Sequence, residues 1–195
     1  MTNPHSEDDD EEWRQVISKL RDDPKGNYIL YDPTIVTLGK NTLKRNGLNQ
    51  ERYIRDRMRT VATFCLKYFE IEGSDDYFIK DILRPKNFRK ICRVAKDAWT
   101  DSLSPVTKLG SYLKEIVVVL QNEAIMENDN ASKMQYDNLI HLIDTEWTFI
   151  SAPNRRKLNE QKEHVQEMPI TNDIELFLHY SSMEIAEIGK KIRCK

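Results

Sequence analysis

Apolar residues recur at three- and four-residue steps along most of this chain, and that period restricts it to helices packed on one another. From Gln50 to about Glu70 the stripe is Ile54, Met58, Val61, Ala62, Cys65 and Phe69. From Pro105 to about Met126 it is Val106, Leu109, Leu113, Ile116, Val117, Leu120 and Ala124, and from Ala131 to about Ile150 it is Tyr136, Leu139, Ile140, Ile143, Trp147 and Ile150. The last two segments flank a short polar turn, Glu127-Asn128-Asp129-Asn130, and so should pair antiparallel. Gly110 would then allow a neighbour to approach closely. The expected fold class is all-α, an orthogonal or antiparallel multi-helix bundle of about six to eight helices.

Helix boundaries follow from the breakers. Asn49 is expected to cap the first long helix, Glu72-Gly73-Ser74 to end it, and Pro105 to occupy the first turn of the next. Trp13, Val16, Ile17 and Leu20 form a short amphipathic helix closed by Asp23-Pro24. Asn27 to Gly39, with Asp32-Pro33, reads as extended. A brief element is expected at Tyr77 to Leu83. Further on, Ser151-Ala152-Pro153-Asn154 is expected to break the pattern, with a polar helix from Arg155 to Val165 and a last helix after Pro169, capped by Thr171. The organisation predicted is an acidic disordered tail at 1–12, a helix and extended segment at 13–39, a helical domain at 40–168 and a C-terminal helix at 169–195.

The net charge of -2 conceals an asymmetry. Every residue from Glu7 to Glu12 is acidic, a solvated run predicted to be disordered. Ser6 precedes it, but a plain solubilising tail is the simpler reading. Between Lys40 and Trp99, fifteen Lys and Arg stand against eight Asp and Glu. The most organised part of that excess is Pro85 to Trp99. There Lys86, Arg89, Arg93 and Lys96 share one helical side while Phe88, Ile91, Ala95 and Ala98 share the other. Such a helix packs and still presents cations. Lys90 adds to it, and Arg52, Arg55 and Arg59 line a second helix, roughly a quarter turn from its buried stripe. Lys40, Lys44 and Arg45 form a third group, and Arg155, Arg156 and Lys157 a fourth. Several cations on one rigid surface are what phosphate recognition requires, since each neutralised phosphate releases counterions. The same residues also fit solvated helical faces paired with local acids.

Catalytic and metal motifs are lacking in the sequence. No phosphate-cradling glycine loop, paired-histidine zinc motif or serine nucleophile elbow occurs, and His5, His141, His164 and His179 have no partner at ligand spacing. Glu127 to Asn130 lacks the alternation of a calcium loop. Cys65, Cys92 and Cys194 are odd in number and far apart, against a disulfide framework, and Cys65 and Cys92 fall on apolar faces as packing residues. No metal and no cofactor is expected, nor an enzymatic activity. No run reaches the eighteen apolar residues of a membrane span, and the acidic start is unlike a signal peptide, so the expectation is an intracellular protein of nucleus or cytoplasm, with no membrane partner.

A resemblance adds to this reading. Ser104-Pro105, Lys108-Leu109-Gly110-Ser111-Tyr112-Leu113-Lys114, Glu146-Trp147, Ser151-Ala152 with Arg155 and Lys162, and Met168-Pro169-Ile170-Thr171-Asn172-Asp173 are similar to a block in animal proteins. Ile54-Arg55-Asp56-Arg57-Met58-Arg59 belongs to the same match, which runs from Gln50 to Tyr180. Those proteins resemble the helical core-binding domain of transposon-derived tyrosine recombinases. The resemblance implies a SAM-like core-binding fold whose basic helices straddle double-stranded DNA, followed in the family by a catalytic domain. The family's His-x-x-Arg element is absent and Tyr180 comes too early to be the nucleophile, so no catalytic residue carries over. Any catalytic region would begin around 169–195. Two functions stay open: a DNA-contact module using the cations above in one concave strip, or a helical module for a protein partner or a second copy, anchored by Trp13, Trp99 and Tyr112.

Overall fold

Two Asp-Pro pairs start helices where an extended segment is expected. Asp23 caps α2 (Pro24–Tyr31), its Oδ1 accepting from the Gly26 N–H at 2.8 Å, with Pro24 in the first turn. Asp32 caps α3 (Pro33–Asn46), its Oδ1 accepting from Thr34 N–H at 2.9 Å and Ile35 N–H at 3.2 Å. Asn27 to Gly39 is therefore helical. An aspartate cap satisfies free N–H groups while the following proline has none to lose, so each pair is a helix start. The second oxygen of Asp32 accepts from the Tyr28 hydroxyl at 3.1 Å and the Ile79 N–H at 2.7 Å. This one buried carboxylate thus joins α2, α3 and the short α5 (Ile79–Ile82).

The computed structural model describes residues 4–73, 78–99, 104–165 and 175–183. The remaining elements are α1 (Pro4–Ser18), α4 (Glu51–Glu72), α6 (Phe88–Asp97), α7 (Ser104–Met126), α8 (Asn130–Val165) and α9 (175–183). Among the described residues there is no strand, and the protein is an all-α multi-helix bundle. Among the described residues there are nine α-helices, with 24–46 folded as a helical pair. Met1–Arg156 forms one compact unit and Lys157–Lys195 a second.

The core of the first unit is centred on α4, which packs against α1, α2, α3, α6 and α7. Its buried residues include every member of the predicted stripe, Ile54, Met58, Val61, Ala62, Cys65 and Phe69. Trp13, Val16, Ile29, Ile35 and Leu38 join the same core, so 13–39 is integral to it and not an appendage. Gly39 admits Trp13 and Met58, whose atoms a Cβ would overlap. α7 and α8 pair antiparallel as expected: Trp147 lies on Gly110, Lys114 Nζ sits 2.7 Å from Asp144, and Gln121 donates to Asp137.

Three local expectations are corrected. α1 begins at Pro4 and takes in the acidic run. Asn49 does not cap α4; Leu48–Gln50 forms a 3-10 turn and Gln50 precedes Glu51 with no side-chain cap bond. α8 does not break at Ser151 to Asn154. Trp147 and Ser151 are buried just before Pro153, and that packing retains the helix although the proline forfeits one backbone hydrogen bond.

Candidate nucleic-acid interface

Pro85–Asn87 makes a 3-10 turn that leads into α6, and the apolar period then orients the helix. Phe88, Ile91, Val94 and Ala95 are buried and Ala98 is half-buried, so Val94 fills a place that the predicted stripe omitted. Lys86, Arg89, Arg93 and Lys96 are exposed, and none forms an ion pair among the described residues. At 100° per residue, Arg89, Arg93 and Lys96 fall within an arc of about 60° and span about 10 Å of axis. Lys90 leaves this strip. Its ammonium is 2.7 Å from Glu72 Oε1 and lies over the Tyr68 ring, and the bond to Glu72 holds its pKa above the ordinary lysine value. On the other flank, burial pushes the Cys92 thiol up to about 11, and Glu146 of α8 acts on it. α6 packs against α4 and α7, with its remaining side turned outward.

The other expected cations have different surroundings. Arg59 is held by both oxygens of Asp23, at 3.1 and 2.5 Å, and that pairing, helped by the Gly26 N–H, lowers the Asp23 carboxyl to about 2. Arg55 lies 3.5 Å from Glu51, whose carboxylate also accepts from Lys19 at 2.7 and 2.8 Å. Lys19, first, lowers the Glu51 pKa. Arg52 faces Asp56 at 3.9 Å and is 91% exposed. Lys40 stands over the Trp13 ring at 5.9 Å, Lys44 is exposed, and Arg45 pairs with Glu115 at 3.1 Å. Arg156 is exposed, while the side chains of Arg155 and Lys157 lie outside the described residues.

Helix geometry separates these groups. Arg52, Arg55 and Arg59 sit about 150° around α4 from Tyr68 and Glu72, where α6 docks, and about 22 Å along the axis from them. The single concave strip expected from the sequence therefore does not form from these two helices. α6 carries a compact row of unpaired cations, and α4 carries arginines tied to carboxylates on its opposite side.

Two further expectations change. Trp13 and Tyr112 are buried and Trp99 is half-buried, so the three proposed anchors do not stand on the surface. Periodicity assigns them to apolar faces once α1 and α7 are docked. Arg57 is absent from the expected cation set although it falls inside the stripe, three residues after Ile54. It is buried, donates to Thr42 Oγ1 at 3.2 Å, lies 2.5 Å from Glu115 and stacks over the Tyr112 ring at 4.6 Å. Its Nε and Nη2 lack aligned hydrogen bonds, so the Glu115 contact is chiefly electrostatic. Among the described residues no cluster of His, Cys, Asp and Glu could hold a metal, and no helix is long and apolar enough to cross a membrane. No family model, curated protein or solved structure matches the chain.

Proposed function

We propose that this chain is a DNA-binding helical module that contacts phosphates through α6, in the manner of a recombinase-like core-binding domain but without catalysis of its own. The observation that carries the reading is the row of Lys86, in the turn before α6, with Arg89, Arg93 and Lys96 on the outer side of that helix, all exposed and without carboxylate partners among the described residues. Leaving four cations unpaired on one rigid surface is suited to an external polyanion. The reading assigns little base recognition, since Asn87, the polar amide beside the strip, spends its side chain on the Asp81 and Ile82 carbonyls. Arg52, Arg55 and Arg59 are left out of the contact set because of their carboxylates and their position.

The test is the affinity for two duplexes of unrelated sequence, measured for the wild type and for Arg89→Glu with Arg93→Glu. Both duplexes should lose affinity by a similar factor; unchanged affinity for either removes the proposal. A second reading, a protein-interaction module, draws on α9, where Leu176, Phe177, Tyr180 and Met183 are exposed at helical spacing. It predicts a partner that stays bound at high salt.

A further inference from the structure

The second cationic place is a built cleft, and it differs in kind from the row on α6. The segment after α1 brings Lys19 and Arg21 against the outer face of α4, where they meet Arg52, Arg55 and Arg59 around a recess of about 400 Å³. Five cations from two segments face three carboxylates, Glu51, Asp23 and Asp56. Glu51 is shared between Lys19 and Arg55, and Arg21 has no ion pair among the described residues. The Nη1 of Arg55 is buried and meets Glu51 through a 3.5 Å ion pair without an aligned hydrogen bond, and five cations against three carboxylates leave the cluster with an excess of positive charge.

The carboxylates act here as orienting groups. Asp23 fixes the Arg59 fork with two bonds while itself capping α2, and Glu51 fixes Lys19 against Arg55. Guanidinium groups held in this way lose little freedom on meeting a tetrahedral oxyanion, whose geometry matches their donors. We infer that this cleft binds a compact oligophosphate, two or three linked phosphates, either free or as the tail of a nucleotide. Its volume lies within the range of small-ligand sites. The excess of cations over carboxylates gives the cleft a net positive charge whose attraction grows in proportion to the charge of the anion, which favours a multiply charged anion over a monoanion. A duplex seated on α6 would not reach it, because the recess opens on the opposite side of α4. The site therefore stands apart from the DNA contact proposed above.

The experiment is calorimetric titration of the full chain at low salt with inorganic tripolyphosphate, and separately with ATP. Saturable binding of one equivalent is expected. Comparable affinities would assign recognition to the phosphate chain, and tighter ATP binding would assign it to the whole nucleotide. Arg21→Glu with Arg52→Glu should weaken binding by about tenfold or more, two charge-assisted contacts being lost. Both side chains are exposed, so the fold is preserved, and thermal melting by circular dichroism verifies it; if the melt changes, Arg52→Glu alone replaces the pair. Arg89→Glu with Arg93→Glu should bind tripolyphosphate as the wild type does. Absence of saturation, indifference to the cleft substitutions, or an equal loss in the α6 variant would overturn the inference, and none of these outcomes bears on duplex affinity.

Discussion

Replacing Arg89 and Arg93 together by alanine should halve the salt dependence of DNA binding. Lys86 in the turn before α6 and Arg89, Arg93 and Lys96 on its outer side are exposed, and if each neutralises one phosphate, the slope of log affinity against log salt is about -3.6, from about 0.9 per contact. Raising salt from about 50 to about 200 mM then costs the wild type about 150-fold in affinity. With two contacts left the slope falls to about -1.8 and the loss to about 12-fold. Alanine is the best helix former, so exposed substitutions on α6 do not weaken the scaffold itself. The assay is fluorescence anisotropy of a labelled duplex titrated at several salt concentrations. Arg52→Ala, on the far side of α4, is the control and should leave the slope unchanged. A wild-type slope near zero, a double variant with the wild-type slope, or an Arg52→Ala effect of equal size would refute the assignment to α6.

Three further outcomes follow from the fold. Gly110→Ala places a methyl group in the Trp147 ring, which should cost about 2 kcal/mol despite the better helix propensity of alanine; at about 2–4 °C per kcal/mol the melting midpoint should fall by roughly 4–8 °C, and an unchanged or higher midpoint would show that Trp147 can move aside. Glu115→Gln leaves Arg57, 1% exposed, without its counter-charge and should cost about 2 kcal/mol, less than a fully buried pair because Glu115 is 40% exposed. Adding Arg57→Met should recover most of that in urea unfolding, and a neutral Glu115→Gln would contradict it. The Asp23 carboxyl is lowered from 3.8 to about 2 by Arg59, so its contribution is fully present above about pH 4 and lost as pH falls towards 2. The melting advantage of the wild type over Asp23→Asn should accordingly shrink as the pH is lowered from about 5 to about 2.5, and a constant gap would exclude the ion pair as its source.

Pro85 and Pro105 read as first-turn residues, yet the same chemistry at Asp23-Pro24 and Asp32-Pro33 reads as a break and an extended segment, because Tyr28, Ile29, Leu30 and Tyr31 form an apolar run with no visible period. Their helical state depends on two capped starts and on burial of Tyr28 and Ile29 beside α4. Arg57 was legible as a charge inside an apolar stripe, but nothing in the sequence names Glu115, fifty-eight residues later, as its counter-charge.

The chain alone determined what depends on neighbours within a turn or two: the all-helical class, the buried faces of α4, α7 and α8, the close approach at Gly110, and the cationic side of α6. Those properties arise from a period of 3.6 residues acting on local sequence. Tertiary packing decided which cations act together. The Asp23 carboxylate reaches Arg59 from the segment before α2, α6 docks on the face of α4 that Arg52 does not share, and Lys19 and Arg21 come to that other face through the path of the backbone between α1 and α2. Electrostatic partnership depends on distance in space, which helical period does not encode.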